Sequence, residues 1–148
     1  MRALIQRVQE ASVECDSDFE SHIGHGYLIL LGVGSQDNEK TCAQLWQKIN
    51  KLRLFKDDEG KTNLDLAAVS GSVLIVSQFT LFADIKKGNR PSFIYAASPE
   101  KGEKLYDYFV ELARRDVSVV GTGLFGGDMK VRLVNDGPFT IWLDTDLF

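Results

Sequence analysis

The run Tyr27-Leu28-Ile29-Leu30-Leu31-Gly32-Val33 is apolar at odd and even positions alike. A strand with one wet face alternates, so a run of this kind needs cover on both faces and belongs at the centre of a sheet. Val73-Leu74-Ile75-Val76 reads as a second buried strand. The cover can come from two helices. Residues 38–52 place Cys42, Leu45, Ile49 and Leu52 on one helical face, with Asp37 or Asn38 as the cap. A second helix opens with Ser98 as cap, Pro99 at its first position and Glu100 in its first turn, and it closes with Arg114 and Arg115. Its predicted apolar face is Leu105, Tyr108, Phe109 and Leu112.

Residues 2–13 predict a strand whose mixed polarity on both parities leaves its inward side open. Residues 16–20 predict a turn, and 23–26 a return to the sheet. Lys56-Asp57-Asp58-Glu59-Gly60 has hairpin-turn composition. Val117–Val120, Met129–Val134 and Phe139–Leu143 read as three late strands separated by glycine-rich or Asn-Asp-Gly turns. Two helices among at least six strands make an α+β fold, a mixed sheet with the helices outside. With 148 residues, 44% hydrophobic content and three prolines, the chain suits one domain spanning 1–148 with a real core.

Polar residues interrupt the first segment too early for a signal sequence, and no apolar run reaches membrane-spanning length, so a cytosolic protein is expected. Cys15 and Cys42 are too few and too far apart for a disulfide framework or a zinc site. A formal charge of −4 argues against a surface that grips nucleic acid everywhere, so any RNA contact is local. Lys86, Lys87 and Arg90 form one candidate patch and Lys56 with Lys61 another, although charge runs of this kind are commonly solvated loops.

Chemistry is concentrated where Ser77-Gln78-Phe79-Thr80-Leu81 follows the second buried strand, and in Asn135-Asp136-Gly137-Pro138-Phe139-Thr140. Thr80 is a candidate nucleophile that has no base near it in sequence. The only histidines, His22 and His25, sit in an early turn, so a Ser-His-Asp triad is disfavoured. Backbone amides around Phe79 and Thr80 could instead stabilise an oxyanion, or Ser77, Gln78 and Thr80 could simply satisfy a strand end. Gly137-Pro138 is a turn with access to a cis bond. Asn135 and Asp136 can shape it through side-chain bonds, with Thr140 bracing it from the next strand. Arg7 is odd for a strand and needs a partner if buried. Asp128 and Asp136 lack the further ligands a metal site needs, and none is expected.

These two segments, with Ile5-Gln6-Arg7-Val8, Gly88-Asn89-Arg90-Pro91-Ser92-Phe93 and Gly123-Leu124-Phe125-Gly126-Gly127-Asp128-Met129, resemble the D-aminoacyl-tRNA deacylases almost end to end. Gly127 departs from the alanine usual there. The resemblance implies a largely antiparallel, barrel-like protomer acting as a homodimer on the aminoacylated 3′ end of tRNA, without metal or organic cofactor. It implies that Ser77, Gln78, Phe79 and Thr80 form the catalytic segment. A cis Gly137-Pro138 unit, held by Arg7, would enter the partner's pocket and reject L-aminoacyl esters by clash. Phe125, Gly126 and Met129 would receive the terminal adenosine, unless Phe125 and Met129 are simply core. Glycyl-tRNA, with no side chain to clash, would also be hydrolysed. The rival reading is a non-catalytic tRNA- or nucleic-acid-binding module of the same fold. A third is a deacylase of altered chirality with a trans Gly-Pro bond.

Overall fold

The computed structural model describes residues 1–15 and 18–148. In chain order it forms β1 (Arg2–Cys15), β2 (Phe19–Ile23), β3 (Gly26–Gly32), α1 (Glu39–Asn50), β4 (Phe55–Lys56), β5 (Thr62–Leu64), β6 (Ser72–Ser77), α2 (Pro99–Asp116), β7 (Val120–Thr122) and β8 (Met129–Asp144). The main sheet runs β2-β1-β3-β6-β7, with β8 on the other edge of β1. β3, β6 and β7 are mutually parallel where they pair, and the pairs made by β1 are antiparallel. This mixed, nearly closed sheet with two outer helices is the expected α+β architecture.

Both faces of the central strands are covered. Tyr27, Ile29 and Leu31 of β3 and Val73 and Ile75 of β6 join Leu45, Trp46 and Ile49 of α1 and Leu105, Phe109 and Ala113 of α2 in one core. Leu28, Leu74 and Val76 point the other way, into a second core with Val8, Val13 and Ile23. The ambiguous polarity of β1 has a geometric cause. Ala3 and Ile5 face the helices, whereas Ala11 and Val13, of the same parity, face the second core. The register against β8 shifts on both sides of Val8. A bulge reverses which parity faces inward, so no single period could describe the strand.

Several sequence expectations need correction. Of the predicted turn at 16–20, Asp16 and Ser17 lie outside the described residues, Phe19 and Glu20 already belong to β2, and Gly24-His25 is the turn into β3. A Cβ on Gly26 would lie 1.8 Å from the Ser72 carbonyl oxygen, so β3 can start beside β6 only with glycine there. Asn38, not Asp37, caps α1, accepting the Lys40 and Thr41 amides at 2.9 and 3.2 Å. Asp37 instead binds the Met1 ammonium and the Gly34 amide, each at 2.6 Å. Leu52 lies past the helix, and Trp46 completes the buried face. On α2, Tyr108 and Leu112 are half-buried, while Gly102, Tyr106, Val110 and Ala113 join Leu105 and Phe109 in the buried face. Val117 caps α2 and the next strand begins at Val120. Most important, residues 129–144 form one strand on one partner, not two strands joined by a turn.

His22 and His25 are both exposed, His25 meeting the Phe55 ring edge-on at 4.7 Å. No helix among the described residues is long and apolar enough to cross a membrane.

Burial sets the chemistry of Cys42, whose thiol is wholly shielded and lies 3.6 Å from the Leu105 carbonyl oxygen. Desolvation, reinforced by Asp37, pushes its pKa from about 9 up to about 12. The folded state therefore holds a proton that the unfolded state releases above about pH 9. The associated stability is present below that pH and is lost as pH rises toward about 12. Burial likewise raises the phenols of Tyr27 and Tyr106, in the same direction. Denaturation midpoints are expected to fall progressively across this alkaline window. Alkylation followed by peptide mass spectrometry should label Cys42 only after unfolding, and rapid labelling of the native thiol would contradict its burial.

Candidate active site

β6 ends at Ser77 and the chain folds into a 3-10 turn, Phe79–Phe82. The Gln78 amide still donates to the Leu31 carbonyl of β3 at 2.8 Å, extending the ladder by one residue. Leu81 then donates to the Gln78 carbonyl at 3.2 Å and Ala83 to that of Thr80 at 3.0 Å. The amides of Phe79 and Thr80 thus open a helical turn, where the leading N–H groups have no carbonyl within the turn to meet. The Thr80 hydroxyl accepts from the Gln78 side-chain amide at 2.5 Å. An amide NH₂ cannot take a proton from a hydroxyl, so this contact positions Thr80 without activating it. Arg2 stiffens the same turn from outside. It donates to the Leu81 carbonyl at 2.9 Å and to Asp144 at 2.8 Å, with its guanidinium 4.4 Å from the Phe82 ring centroid.

Beside this turn lies a cavity of about 480 Å³. Ser77, Gln78 and Phe79 form one wall, Ala97-Ser98-Pro99 with Gly102 and Tyr106 of α2 a second, and residues 125–129 a third. Phe79 is 58% exposed at the cavity and meets Phe93 edge-on at 4.9 Å. The Tyr106 hydroxyl donates to the Ile75 carbonyl at 2.8 Å, which locks that wall to β6. Two glycines set the shape of the chamber's walls. At the lining, a Cβ on Gly102 would lie 3.2 Å from Cζ of Phe125; behind it, one on Gly123 would lie 2.6 Å from the sulfur of Met129, so that glycine lets Met129 take its place in the wall. Apolar side chains dominate the lining, with a few polar groups among them, the usual make-up of a small-molecule site. Phe125 and Met129 also pack against the two cores, so their core and cavity roles coexist.

The second motif is built around Arg7. Gln6 pairs with Thr140 and Val8 with Asn135, so Arg7 alone stands opposite residues 136–139, which bulge out of the β1–β8 ladder. Arg7 is 4% exposed. Its Nε donates to the Asp136 carbonyl at 3.0 Å and lies 3.2 Å from that carboxylate. Its Nη1 donates to the Leu54 carbonyl at 2.5 Å, and the Phe139 ring centroid is 4.8 Å from the guanidinium. Asn135 closes the base of the excursion, donating to the Arg7 and Phe139 carbonyls at 2.9 and 3.0 Å and accepting the Phe139 amide at 3.1 Å. Thr140 bonds Gln6 at 3.3 Å. At the tip, Gly137 and Pro138 are exposed and joined by a cis peptide bond.

Residues 4–144 match the D-Tyr-tRNA(Tyr) deacylase family. The chain belongs to that family. A Geobacter sulfurreducens protein named D-aminoacyl-tRNA deacylase is 53% identical over 98% of this chain and 95% of its own length. A Photobacterium profundum protein of the same name is 52% identical over 97% and 99%. A solved structure titled c-Myc DNA Unwinding Element Binding Protein superposes with a TM-score of 0.91 at 38% identity, covering 97% of this chain and 98% of that one.

In this deacylase-family chain, Ser77, Gln78 and Phe79 share one cavity with Phe125, Gly126 and Met129, while Thr80 does not line it. Arg7, Asn135, Asp136, Gly137 and Pro138 form a second group that does not line that cavity in the same chain. Asp128 pairs with Lys130 at 2.7 Å, apart from Asp136. Sequence reasoning misses Arg2, Gly102 and Tyr106. Gly102 leaves a trace, because glycine inside a long helix costs about 1 kcal/mol relative to alanine and so calls for a packing reason.

Proposed function

We propose that the protein is a homodimeric hydrolase that cleaves the ester of D-aminoacyl-tRNA, releasing the D-amino acid and free tRNA. The observation that carries this reading is the convergence of the Ser77–Phe79 turn and the Phe125–Met129 loop on one base-sized cavity, in a chain of this family. The cavity takes the terminal adenine, which sets the ester beside Phe79 and Thr80. Water attacks the carbonyl carbon, the Phe79 and Thr80 amides hold the oxyanion that forms, and the ribose oxygen leaves with a proton. The ribose hydroxyl next to the ester orients the attacking water. The exposed Gly137-Pro138 tip of one protomer completes the partner's pocket. Its carbonyls receive the substrate ammonium, and an L side chain then runs into main chain that cannot move aside.

The test is hydrolysis of D-tyrosyl-, L-tyrosyl- and glycyl-tRNA by the purified protein. Release of D-tyrosine with L-tyrosyl-tRNA left intact is expected, and inertness toward the D ester overturns the reading. Glycyl-tRNA is expected to be hydrolysed measurably, and complete resistance would refute exclusion by side-chain clash alone. Thr80→Ala should retain activity in single-turnover assays, whereas total loss would restore Thr80 as the nucleophile. A second reading, a non-catalytic nucleic-acid-binding module, draws on the name of the relative with a 38% identical structure, and the same assay decides between the two.

A further inference from the structure

The loop that joins two walls of the cavity has an unusual charge. Residues 84–95 hold three of the chain's 17 basic residues, Lys86, Lys87 and Arg90, and one of its 21 acidic residues, Asp84. The rest of a chain with formal charge −4 is therefore more acidic than the whole. The segment is anchored at both ends. Asp84 and Ser92 exchange backbone hydrogen bonds of 2.7 and 2.9 Å, the Ser35 amide donates to the Tyr95 carbonyl at 2.9 Å, and that of Ala97 to Val33 at 2.9 Å. Residues 85–91 project between these ties as an exposed tip.

Among the described residues, no carboxylate pairs with Lys86, Lys87 or Arg90. Asp84 spends one oxygen on the Lys86 backbone amide at 2.9 Å. Three unneutralised cations on one tethered tip repel one another, an arrangement that an anionic partner relieves. Tyr95 is 52% exposed, and Phe93 touches Phe79 at the cavity. The segment runs directly into Ala97-Ser98-Pro99, which line the cavity.

We propose that this loop is a phosphate-docking arm for the RNA strand that leads into the cavity. Lys86, Lys87 and Arg90 neutralise backbone phosphates upstream of the terminal nucleotide, and Phe93 and Tyr95 offer ring faces to the unpaired bases next to it. Cations on a backbone track beside aromatic faces are the means by which a single strand is held without reading its sequence. The proposal rests on the reading of the cavity as the site for an RNA 3′ end, and it adds the surface that takes the rest of the strand. Charge complementarity and continuity with the cavity favour RNA over a second copy of this chain, whose net charge is −4.

The test replaces all three cations in the full-length protein, Lys86→Ala with Lys87→Ala and Arg90→Ala, beside a charge-retaining control, Lys86→Arg with Lys87→Arg and Arg90→Lys. Binding of uncharged tRNA is measured by fluorescence anisotropy across a salt series. Hydrolysis is measured on D-tyrosyl-tRNA and on D-tyrosyl-adenosine, which has no phosphate. Losing about three single-strand phosphate contacts should lower the slope of log affinity against log salt by about 2. The expected kinetic result is a loss of about tenfold or more in kcat/KM on D-tyrosyl-tRNA, carried by KM, with D-tyrosyl-adenosine unaffected and the control near wild type.

An unchanged tRNA affinity and salt slope would overturn the proposal. So would an equal loss on both substrates, which would make the loop a prop for the cavity. Dissociation of the variant into monomers in sedimentation, with the salt slope intact, would make the loop a subunit contact and also overturn it. A wild-type protein that binds tRNA through this arm yet hydrolyses neither ester would sink the enzymatic reading alone, because the binding measurement stands apart from turnover.

Discussion

If each cavity borrows its partner's tip, as proposed, a heterodimer of Gly102→Leu and Gly137→Val chains is expected to recover about half of the wild-type rate while each variant alone is inactive, because an isologous dimer with shared sites then keeps one intact site of two. The two changes damage different halves of the machinery. At Gly102 even a single added carbon lies 3.2 Å from the Phe125 ring, so a leucine fills the cavity while suiting the helix better than glycine does. At Gly137 the backbone φ is 141°, and a Cβ would stand 3.0 Å from the Phe139 nitrogen and 3.1 Å from Nη2 of Arg7. A β-branched residue cannot hold that conformation, so the exposed tip must reshape. The decisive comparison places both changes in one chain opposite a wild-type partner. If each cavity borrows the partner's tip, that arrangement has no intact site and is dead. If each chain completes its own site the pattern inverts, with the double variant's partner supplying half the rate and the split heterodimer none. Differently tagged chains, co-expressed and purified as heterodimers, allow both to be measured in one assay.

How far the sequence discloses this arrangement depends on how local the determining forces are. β3 and β6 are legible because burial on both faces leaves an unbroken apolar run that few other structures explain. α2 is legible at its start because Ser98 and Pro99 act within one turn. Its buried face is less so, since Gly102 and Tyr106 look unlike core residues until Phe125 is known to lie over one and the Ile75 carbonyl to take the hydroxyl of the other. β8 is hidden for a stronger reason. Asn135-Asp136-Gly137-Pro138 carries the local signals of a turn, and locally it does leave the ladder. What returns the strand to the same partner is Arg7, far away in sequence, and no window centred on residue 137 contains it. The cavity is similar: its lining residues run from Leu31 to Val131, so the sequence exposes its motifs but not their meeting.

Arg7→Ala is expected to lower the unfolding free energy by about 3 kcal/mol, the range found when one member of a buried charged network is removed. The guanidinium is the only described partner that joins β1 to the Leu54 carbonyl and to Asp136 at once. Leu54 is buried, so its carbonyl oxygen loses its donor in a place water reaches poorly. The Asp136 carboxylate is about a third exposed and contributes less, because solvent screens it. For a chain of this length the loss corresponds to a fall in Tm of roughly 6–12 °C, readable by calorimetry. Arg7→Lys should give an intermediate value, because one ammonium on a flexible stem cannot span both acceptors as the planar fork does. Raising NaCl from about 0.1 M to about 1 M should barely change the difference between wild type and Arg7→Ala, since a buried contact is little screened. A difference that vanishes in salt, or a Tm shift under about 2 °C, would reduce Arg7 to a surface charge and remove the brace that holds residues 136–139 out of the sheet. On the functional reading, the same substitution loosens the wall that sorts the two mirror forms, so the ratio of D- to L-tyrosyl-tRNA hydrolysis should fall together with Tm, and a ratio unchanged in a protein this destabilised would separate the brace from the filter.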